Sequence, residues 1–522
     1  MGRLDTTSPV TTFVNSGTIA PGLDKYLWDA ANPSIDVTQF NSLTLAGTYS
    51  ARPGAVIEIN TQLVDDKSRH GTLVITETVD TGGAVTGVKV NHQGGDGALT
   101  DEGIEIIRIL GTGNHAQEGR MFRLISDFTT KDGKSAVVAG AYAYWMEDDR
   151  DWDYQSGSPI ADQSGIFLRN ARKANGGKVV NPNTPLYESY SLILGNLNRL
   201  QTLEQRVGHR NWLNSTMTPV VNDAYPQSQG ERAIENRAVW MRLDGGTGTW
   251  KPRLGSDSRG EQTRYDLDYG RMNFGIDVPL YLGEGGGKLI GGVNLNAGQG
   301  DAKVKSPNGD GKLKFKNQGL GATLTWYSDN GFYADAQARY NWYTTDINSH
   351  TIKSVGSQVN SNDGRGQAYS LEVGRVFGLS DQWSLTPQAQ LTWSRTDFDS
   401  FVDAQSNQVI NEEDYKSLEA RVGLALNYEN SYLADSGQVN RNKLCGLVNY
   451  YHEFKGDSTI SLATVKYKSE VNDNWVGLAV GGSHNWCNDQ YSVYGELGAR
   501  SSTDNFGSER EFTGELGLRL AF

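Results

Sequence analysis

The chain has 522 residues and a formal net charge of -13, a length that allows two or three domains. Mean hydropathy is -0.52, and no stretch approaches the roughly 20 apolar residues of a membrane-spanning helix, so a helical membrane protein is excluded. The acidic balance argues against nucleic-acid binding, because no basic stripe is available to neutralise phosphates. Glycine (62) and aromatic residues (10%) are frequent, which favours many β-strands joined by tight turns.

The first 25 residues contain neither a basic start nor an apolar core, so no signal peptide is predicted there. If the chain is exported, we expect it to be a fragment or a shortened reading frame whose export signal lies upstream. The two cysteines fit an exported bacterial protein without proving one.

Residues 1 to about 185 contain short apolar runs, each bounded by Gly, Asn or Asp, as strands commonly are. Their spacing of roughly 15 to 20 residues predicts stacked rungs of a parallel β-helix. An ordinary β-sandwich is the alternative. The clearest runs are 43–47, 55–59, 72–75 and 87–90.

Residues 185–210 change to a helical period. Pro185 precedes the segment and Gly208 lies where a helix would end. The remaining positions are mostly polar, so the predicted helix, 187–208, suits a water-filled pore. Residues 211–236 are predicted to be a linker. The apolar positions on one helix face are Ile193, Leu197, Leu200, Leu203 and Val207.

From about residue 237 onward, apolar and polar residues alternate over segments of ten or more residues, which predicts strands with one apolar face. Twelve segments are counted, an even number, as in bacterial single-chain membrane barrels. The apolar face of the last segment is formed by Phe512, Gly514, Leu516, Leu518, Leu520 and Phe522.

The connections between these segments alternate in length, as periplasmic turns and extracellular loops do. The tight ones are 283–286, 328–331, 380–382 and 488–489, and the long ones are 247–264, 305–312, 348–365, 402–414, 455–473 and 503–511. The connection 429–442 is long where a short one is expected. Aromatic residues at the segment ends predict two interfacial girdles. They are Tyr281, Tyr327, Phe332, Trp383, Tyr428, Trp486, Tyr491 and Phe522 near the tight turns, and Tyr265, Trp342, Trp393, Phe401, Tyr415 and Trp475 near the loops.

The order of several motifs resembles the autotransporters, the type V secretion proteins that include pertactin. Residues 14–22 (VNSGTIAPG) are similar to a motif near the end of β-helical passengers, and 88–107 resembles the pertactin-type region. Residues 165–170 stand where family members often have Trp-Tyr-Leu-Arg, after an insertion at about 147–164. The segment 185–208 resembles the family's pore linker, and 516–522 (LGLRLAF) resembles the end of its barrels.

The resemblance implies an all-β chain with one helix: a parallel β-helix passenger remnant, then a 12-stranded antiparallel transmembrane β-barrel with a linker helix in its pore. The expected parts are the passenger end at 1–40, an autochaperone segment at 41–185, the linker with the pore helix at 186–236 and the barrel at 237–522. The autochaperone segment is expected to fold first outside the cell and to template the rungs above it.

The function implied is an outer-membrane translocator that anchors and helps to export a β-helical surface passenger, an adhesin. The expected partners are outer-membrane lipid, the barrel-assembly machinery, periplasmic chaperones and host or neighbouring cells, and the chain is expected to be a monomer in the outer membrane, with its passenger on the cell surface. Two alternatives stay open: a secreted soluble β-protein acting as an enzyme or binding module, and a diffusion porin.

The sequence predicts no enzyme, no cofactor and no metal site. H-E-x-x-H and G-x-S-x-G motifs are absent, and residues 132–135 lack the glycine that a phosphate-binding loop needs at position 128, so they predict a turn. Some autotransporters cut off their passenger at an asparagine in the pore. Asn196 and Asn198 are separated by Leu197, which argues against such self-cleavage.

Two further site predictions concern the barrel. The final strand resembles those whose aromatic last residue is read by the assembly machinery, so Phe522, with Leu520 and Leu518, is the expected assembly signal; a girdle aromatic is the plain alternative. Strand counting places Cys445 opposite roughly residue 483, close to Cys487, and predicts a disulfide. Two unpaired thiols are the alternative, because a register error of one residue reverses the direction of a side chain.

Overall fold

The computed structural model describes residues 12–21, 40–80, 82–111, 119–126, 128–148, 164–172, 177–210, 237–258, 260, 262–282, 287–352 and 357–522. Short strands come first, two helices follow, and long strands end the chain. The short strands are β1 Thr12–Asn15, β2 Thr18–Ile19, β3 Leu43–Leu45, β4 Thr48–Ala51, β5 Val56–Thr61, β6 Leu73–Ile75, β7 Thr86–His92, β8 Ile104–Ile109, β9 Phe122–Ile125, β10 Phe128–Thr129, β11 Ser135–Ala139, β12 Tyr142–Asp148, β13 Ser164–Arg169, β14 Ala171–Arg172 and β15 Gly177–Lys178.

The short strands stack in parallel, coil upon coil. β2, β5, β7 and β9 form one sheet, β3, β6 and β8 lie side by side in another, and β1 pairs with β4, all in parallel. Apolar side chains such as Ile57, Ile59, Leu73 and Ile107 point inward and are buried. The predicted β-helix is therefore confirmed, and the β-sandwich alternative is wrong.

Antiparallel strands close the β-helix at the end that follows its last parallel coil. β13 pairs with β8, and β12, β11 and β10 continue the sheet outward. Antiparallel hairpins can end a parallel stack because they satisfy the edge of its last coil without starting another. Residues 132–134 lie in the turn between β10 and β11, as predicted, and Ser135 begins β11. Most of the predicted insertion, 149–163, lies outside the described residues.

Two helices follow, α1 Thr184–Leu197 and α2 Leu203–Val207. The prediction of one helix over 187–208 is therefore wrong: the segment is broken at 198–202. Thr202 forms a capping box with Gln205 at the start of α2. This cap begins a second helix, so the apolar periodicity of α1 does not continue through it. Gly208, at φ 66°, ends α2 where the sequence predicted a stop. Neither helix has the length and apolar character of a membrane span.

Twelve long strands and four short ones make up the rest of the chain. The long strands are β16 Ala238–Trp250, β17 Arg264–Leu282, β18 Lys288–Lys305, β19 Gly311–Tyr327, β20 Phe332–Ser349, β21 Ser357–Arg375, β23 Trp383–Phe398, β25 Val409–Leu433, β26 Val439–Glu453, β29 Asn474–Trp486, β30 Tyr491–Ser502 and β31 Arg510–Ala521. The short ones lie beside them: β22 Phe377–Gly378, β24 Phe401–Val402, β27 Asp457–Leu462 and β28 Val465–Glu470. The long strands form a closed antiparallel barrel, because β16 pairs with both β17 and β31. Closure satisfies every strand edge, as lipid requires.

The two barrel faces have opposite character. The outward positions are exposed and apolar, as Val293 and Leu295 on β18 show. On the last strand, Leu516, Leu518 and Leu520 all point outward. The inward positions are polar and buried. An apolar outside and a polar inside are the inverse of a soluble protein and match a transmembrane barrel.

The connections alternate in length around the barrel. Residues 283–287, 328–331, 376–382, 434–438 and 487–490 join strands at one end, and 251–263, 306–310, 350–356, 399–408, 454–473 and 503–509 join them at the other. The predicted exception at 429–442 is wrong, because β25 and β26 extend into that range and leave a five-residue turn closed by the N–H of Ala434 and the carbonyl of Gln438. By the usual rule, the second end is extracellular. The β-helix lies at this end.

Candidate functional site

The lumen of the barrel is the site where the polar linker meets the strand walls. α1 enters from the extracellular end, and α2 lies near the periplasmic turns, where Leu203 and Val207 pack against Tyr327 and Tyr333. The lumen therefore contains a chain that runs from the β-helix outside to the periplasmic end. From there, the chain continues through 211–236, which lie outside the described residues, to β16.

The extracellular half of the lumen is lined by aromatic residues that pack on α1. Tyr190 stacks on Phe398 with ring centroids 4.3 Å apart, and Tyr187 meets Phe401 edge to face at 5.2 Å. Gly195 faces Tyr415, where the missing side chain lets the helix and the wall approach closely. The apolar core of the β-helix is continuous with the aromatic side chains that pack around α1. Burial of apolar surface is thus what holds α1 in place.

Asp403 anchors the start of α1 to the loop between β23 and β25. Its fully buried carboxylate accepts hydrogen bonds from the Asn181 amide at 3.1 Å, the Asn183 amide at 3.0 Å and the Tyr187 hydroxyl at 2.6 Å. The backbone N–H and the hydroxyl of Ser406 donate at 3.0 and 2.5 Å. Five donors satisfy both oxygens, so the loop and the helix form one hydrogen-bonded unit.

Glu188 links α1 to two other extracellular connections in the same way. It accepts from the N–H groups of Gly255 and Ser256 at 2.7 and 3.2 Å, and from the Ser469 hydroxyl at 2.6 Å. Gly255 belongs to the connection after β16 and Ser469 to β28. The carboxylates of Glu188 and Asp403 therefore link α1 to three parts of the barrel mouth.

Side chains of the barrel wall donate hydrogen bonds to the free backbone carbonyls at the break between the two helices. α1 has no basic residue in its last turn, and the guanidinium of Arg271 donates to its Leu197 carbonyl at 3.0 Å. The Gln201 carbonyl accepts from the Gln337 and Gln390 amides at 2.8 and 3.3 Å. A non-helical stretch can lie in the lumen because these donors replace the missing helical partners.

The periplasmic half is held by buried ion pairs instead of aromatic rings. Arg206 lies 2.6 Å from Asp335, and Glu204 lies 2.6 Å from Lys443. Below α2, Arg210 lies 2.5 Å from Asp277. The carboxylate of Glu372 accepts from the N–H of Leu203 at 3.0 Å and faces Arg421 at 3.3 Å; the Tyr494 hydroxyl donates to the Arg206 carbonyl at 2.8 Å. Glu204, Arg206 and Arg210 of the linker thus each face an opposite charge on the wall.

Little space remains beside the linker. One cavity of about 130 Å³ lies between residues 196–205 and a wall formed by β16, β17, β23, β25, β26, β29, β30 and β31. It is lined by charged and amide side chains, including Arg199, Glu419, Arg421 and Glu511. A space of this size holds a few waters but not a solute-sized channel.

Of the predicted pore-helix residues, Ile193, Leu197, Leu203 and Val207 lie on the two helices and are buried. Leu200 lies in the break, where it is half-buried beside the cavity. Asn196 donates to the Tyr265 hydroxyl at 2.5 Å, and the amide oxygen of Asn198 accepts from the Asn341 amide at 2.8 Å.

The girdle prediction is correct in part. Tyr281, Trp383 and Phe522 near the turns point outward. Phe401 does not belong to a girdle, because it packs on Tyr187 of α1, and four further residues do not, because they face the lumen and are buried there. These are Tyr327 at the periplasmic end, and Tyr265, Tyr415 and Trp475 at the extracellular end. Aromatic side chains occupy these inner positions because α1 and α2 supply an apolar surface, which an empty pore would not.

The predicted disulfide is absent: Cys445 and Cys487 are free. Cys445 pairs with Gly481, two residues from the predicted position, and faces the lumen. The strand rises about 17 Å over the five steps from Gly481 to Trp486, and Cys487 lies beyond Trp486 in the turn. A disulfide joins Cα atoms no more than about 7 Å apart, so the register excludes it.

The residues that sequence reasoning missed are the acceptors on the barrel, chiefly Asp403, Asp335 and Glu372. Asp403 lies in a loop and the other two at ordinary inward positions of strands, so no local motif distinguishes them. For the helix break, a signal was present: Thr202 and Gln205 have the spacing of a capping box.

Residues 239–498 match the Autotransporter beta-domain family, and residues 15–146 match Autochaperone Domain Type 1. The chain is also 36% identical, over 536 aligned residues and 99% of its length, to the adhesin BmaC autotransporter of Brucella suis biovar 1 (strain 1330). The chain belongs to the autotransporter family. It spans 14% of the length of BmaC.

Other autotransporters are similar over shorter parts. The pertactin autotransporter of Bordetella parapertussis is 27% identical over 222 residues, which cover 42% of this chain and 22% of that protein. Among solved structures, the transport unit of the autotransporter AIDA-I from Escherichia coli is 15% identical, with a TM-score of 0.48, covering 66% of this chain and 99% of that one. In this autotransporter, the barrel lies in the outer membrane as a translocator domain. The soluble-protein and porin alternatives are not favoured.

Proposed function

We propose that this translocator displays a longer β-helical passenger at the cell surface and that the passenger acts in adhesion rather than catalysis. The observation that carries the proposal is the linker in the lumen, which joins a β-helix at the extracellular end to a barrel in the outer membrane. The name of BmaC as an adhesin, and its greater length, support the adhesive role.

The display step is tested with the full chain behind an export signal, with an epitope tag before residue 1. We expect antibody to label the tag on intact cells, and external protease to remove it. Labelling only after the cells are permeabilised would overturn display. Adhesion is tested with the passenger-bearing protein and a version that lacks the passenger, at equal surface levels. Equal adherence of the two strains to host cells would overturn the adhesive role.

The linker also separates this proposal from a diffusion porin. Deleting 187–208 removes α2 and all but the first three residues of α1, and it should raise conductance in planar bilayers, because the lumen then contains water instead of side chains. The full chain should conduct little. Unchanged conductance would contradict a plugging role for the linker.

We propose three further relations. The barrel-assembly machinery and periplasmic chaperones act on the chain before it folds. The closed barrel works as a monomer, since β16 and β31 leave no strand edge unpaired. Residues 41–185 fold first outside the cell, where their coils present an edge on which further coils can stack.

A further inference from the structure

The outer surface of the barrel changes character above the apolar band of β17, β18 and β19. Outward positions there carry six cations, which we call the basic patch: Arg264, Lys303, Lys305, Lys312, Lys314 and Lys316. The outward acidic groups on these strands and on β20 are Asp266, Asp268, Asp301 and Asp346. The sector therefore has a surplus of positive charge in a chain whose net charge is -13.

The strand register places like charges opposite each other within the basic patch. Lys303 pairs with Lys312, and Arg264 pairs with Lys305, although Lys303 also lies opposite Asp266 and Lys314 lies opposite both Asp301 and Asp346. Residues directly opposite on neighbouring strands have Cβ atoms about 5 Å apart, and like charges in that arrangement are destabilising. These carboxylates offset part of the repulsion, and an external anion between the ammonium groups would relieve the remainder.

The chain supplies only part of that compensation. Lys312 has Asp301 as a partner, at 2.9 Å. Within the part of the chain that the structure describes, no ion pair is found for Lys303, Lys305, Lys314 or Lys316. These four ammonium groups are exposed on flexible stems, and they can adjust to an external ligand.

The position of the basic patch along the barrel axis shows which layer of the membrane it faces. An apolar band about 25 Å tall, crossed by a strand tilted by about 40°, takes roughly ten residues. Counted upward from Trp326 at the periplasmic end of β19, ten residues reach Lys316. The exposed Trp342 lies opposite Gln318, one outward position below Lys316, as an interfacial aromatic residue would. The basic patch therefore lies at the headgroups of the outer leaflet.

The cationic cluster of β17, β18 and β19 has no counterpart on β29 and β30, and on β23 and β25 the outward Arg395 lies opposite Lys416 but is paired with Asp414 at 2.5 Å. On β29 and β30, the same count from Trp486 and Tyr491 reaches Val476 and Ser501, and the next outward residue above Val476 is Asn474. A general attraction to the membrane surface would not require such asymmetry. A lipid bound at one position would.

We propose that the basic patch binds the phosphate groups of a phosphorylated, acylated lipid of the outer leaflet. The ammonium groups of Lys303, Lys314 and Lys316 contact the phosphates, and the acyl chains lie on the apolar surface below, which includes Leu295 and Leu320. Anionic headgroups complement the surplus positive charge of this sector.

The test uses the full chain, purified in a neutral detergent, and lipid A with two phosphates as the probe. The variant Lys303→Gln/Lys314→Gln/Lys316→Gln removes three charges from the basic patch. The matched control, Lys416→Gln/Lys455→Gln/Arg510→Gln, removes three exposed charges elsewhere on the extracellular side. Native mass spectrometry and a binding isotherm measure the bound lipid, and heat-modifiable gel migration shows that each variant is folded.

We expect the patch variant to bind at least about tenfold more weakly, the control variant to bind like the wild type, and added salt to weaken wild-type and control binding more than it weakens binding by the patch variant. Lipid A with one phosphate should bind more weakly than the form with two. Equal affinity of the two triple variants would overturn the proposal, as would affinity independent of phosphate number. Full competition by millimolar inorganic phosphate would also overturn it, because the ligand would then be a free anion.

Discussion

Gly195 of α1 lies directly against the ring of Tyr415, so that a Cβ added to the glycine would overlap the ring atoms Cδ1, Cε1 and Cζ. Helix interiors disfavour glycine by about 1 kcal/mol relative to alanine, yet this position allows nothing larger. The contact closes the extracellular half of the lumen. The first prediction therefore tests whether this close steric fit holds the linker in the lumen.

Gly195→Ala should loosen the linker, because the overlap costs about 1–3 kcal/mol and exceeds the gain in helix propensity. We expect more frequent open events in planar bilayers and a lower unfolding midpoint in urea. Gly446→Ala is the control, since nothing lies within 4 Å of a Cβ there and the site faces outward. Identical conductance of the two variants would show that Tyr415 yields and that the contact does not close the lumen.

The ion pair of Arg206 with Asp335 should behave as a buried pair, because the two side chains are only 3% and 0% exposed. Arg206→Met leaves Asp335 buried without its partner and should lower the free energy of unfolding by about 3 kcal/mol. The double variant Arg206→Met/Asp335→Asn should recover much of that loss. Arg365→Met is the control, since it removes an exposed pair with Asp399 and should change stability by less than about 1 kcal/mol. Denaturant unfolding in detergent measures all of these, and equal losses at both sites would contradict the assignment.

Asp403 should control the rigidity of the barrel mouth. In Asp403→Asn, an amide N–H₂ replaces one acceptor oxygen and faces donors, which costs about 2 kcal/mol. Hydrogen exchange of residues 181–187 and 399–408 should accelerate by roughly 30-fold, since local opening governs exchange. Asp399→Asn, in the same loop but exposed, serves as control. Unchanged protection in Asp403→Asn would mean that apolar contacts alone hold α1.

The hydroxyl of Tyr144 joins three segments of the β-helix. It lies 2.6 Å from the Val64 carbonyl and 2.8 Å from the Ala98 carbonyl, and accepts from the Ala98 N–H at 2.9 Å. Burial raises the pKa of this hydroxyl above its ordinary value, so it remains a neutral donor. Tyr144→Phe in the isolated segment 41–185 should lower the free energy of unfolding by about 2 kcal/mol.

Tyr142→Phe is the matched control, because its hydroxyl has no hydrogen bond among the described residues and the change should be nearly neutral. Urea unfolding followed by circular dichroism measures both variants. A disordered spectrum of wild-type 41–185 would contradict independent folding and with it the expectation that this segment folds first.

Features that depend on the alternation of apolar and polar residues were predicted correctly from the sequence. The positions where the barrel wall contacts the linker in the lumen were not. The faces of Leu516, Leu518 and Leu520 follow from a period of two, because lipid lies on one side of every strand. The same period places Tyr415 on the inward face with Glu419 and Arg421, but its aromatic side chain predicts a girdle, since aromatic residues suit both an interface and a filled lumen. The disulfide failed for a related reason: pairing Cys445 with Gly481 depends on register, and register is set by distant turns.

Phe522 gives a last prediction, because its side chain contributes little to the folded barrel. The ring is 59% exposed on the lipid face, and only its backbone N–H is used, donating to the Arg237 carbonyl at 2.8 Å. Phe522→Ala should therefore leave detergent unfolding almost unchanged. If the ring is read by the assembly machinery, the amount of assembled barrel in the outer membrane should fall several-fold, while Phe522→Tyr should assemble normally. Leu516→Ala, similarly exposed on the last strand, controls for lost lipid contact. Normal assembly of Phe522→Ala would leave the residue a girdle aromatic only.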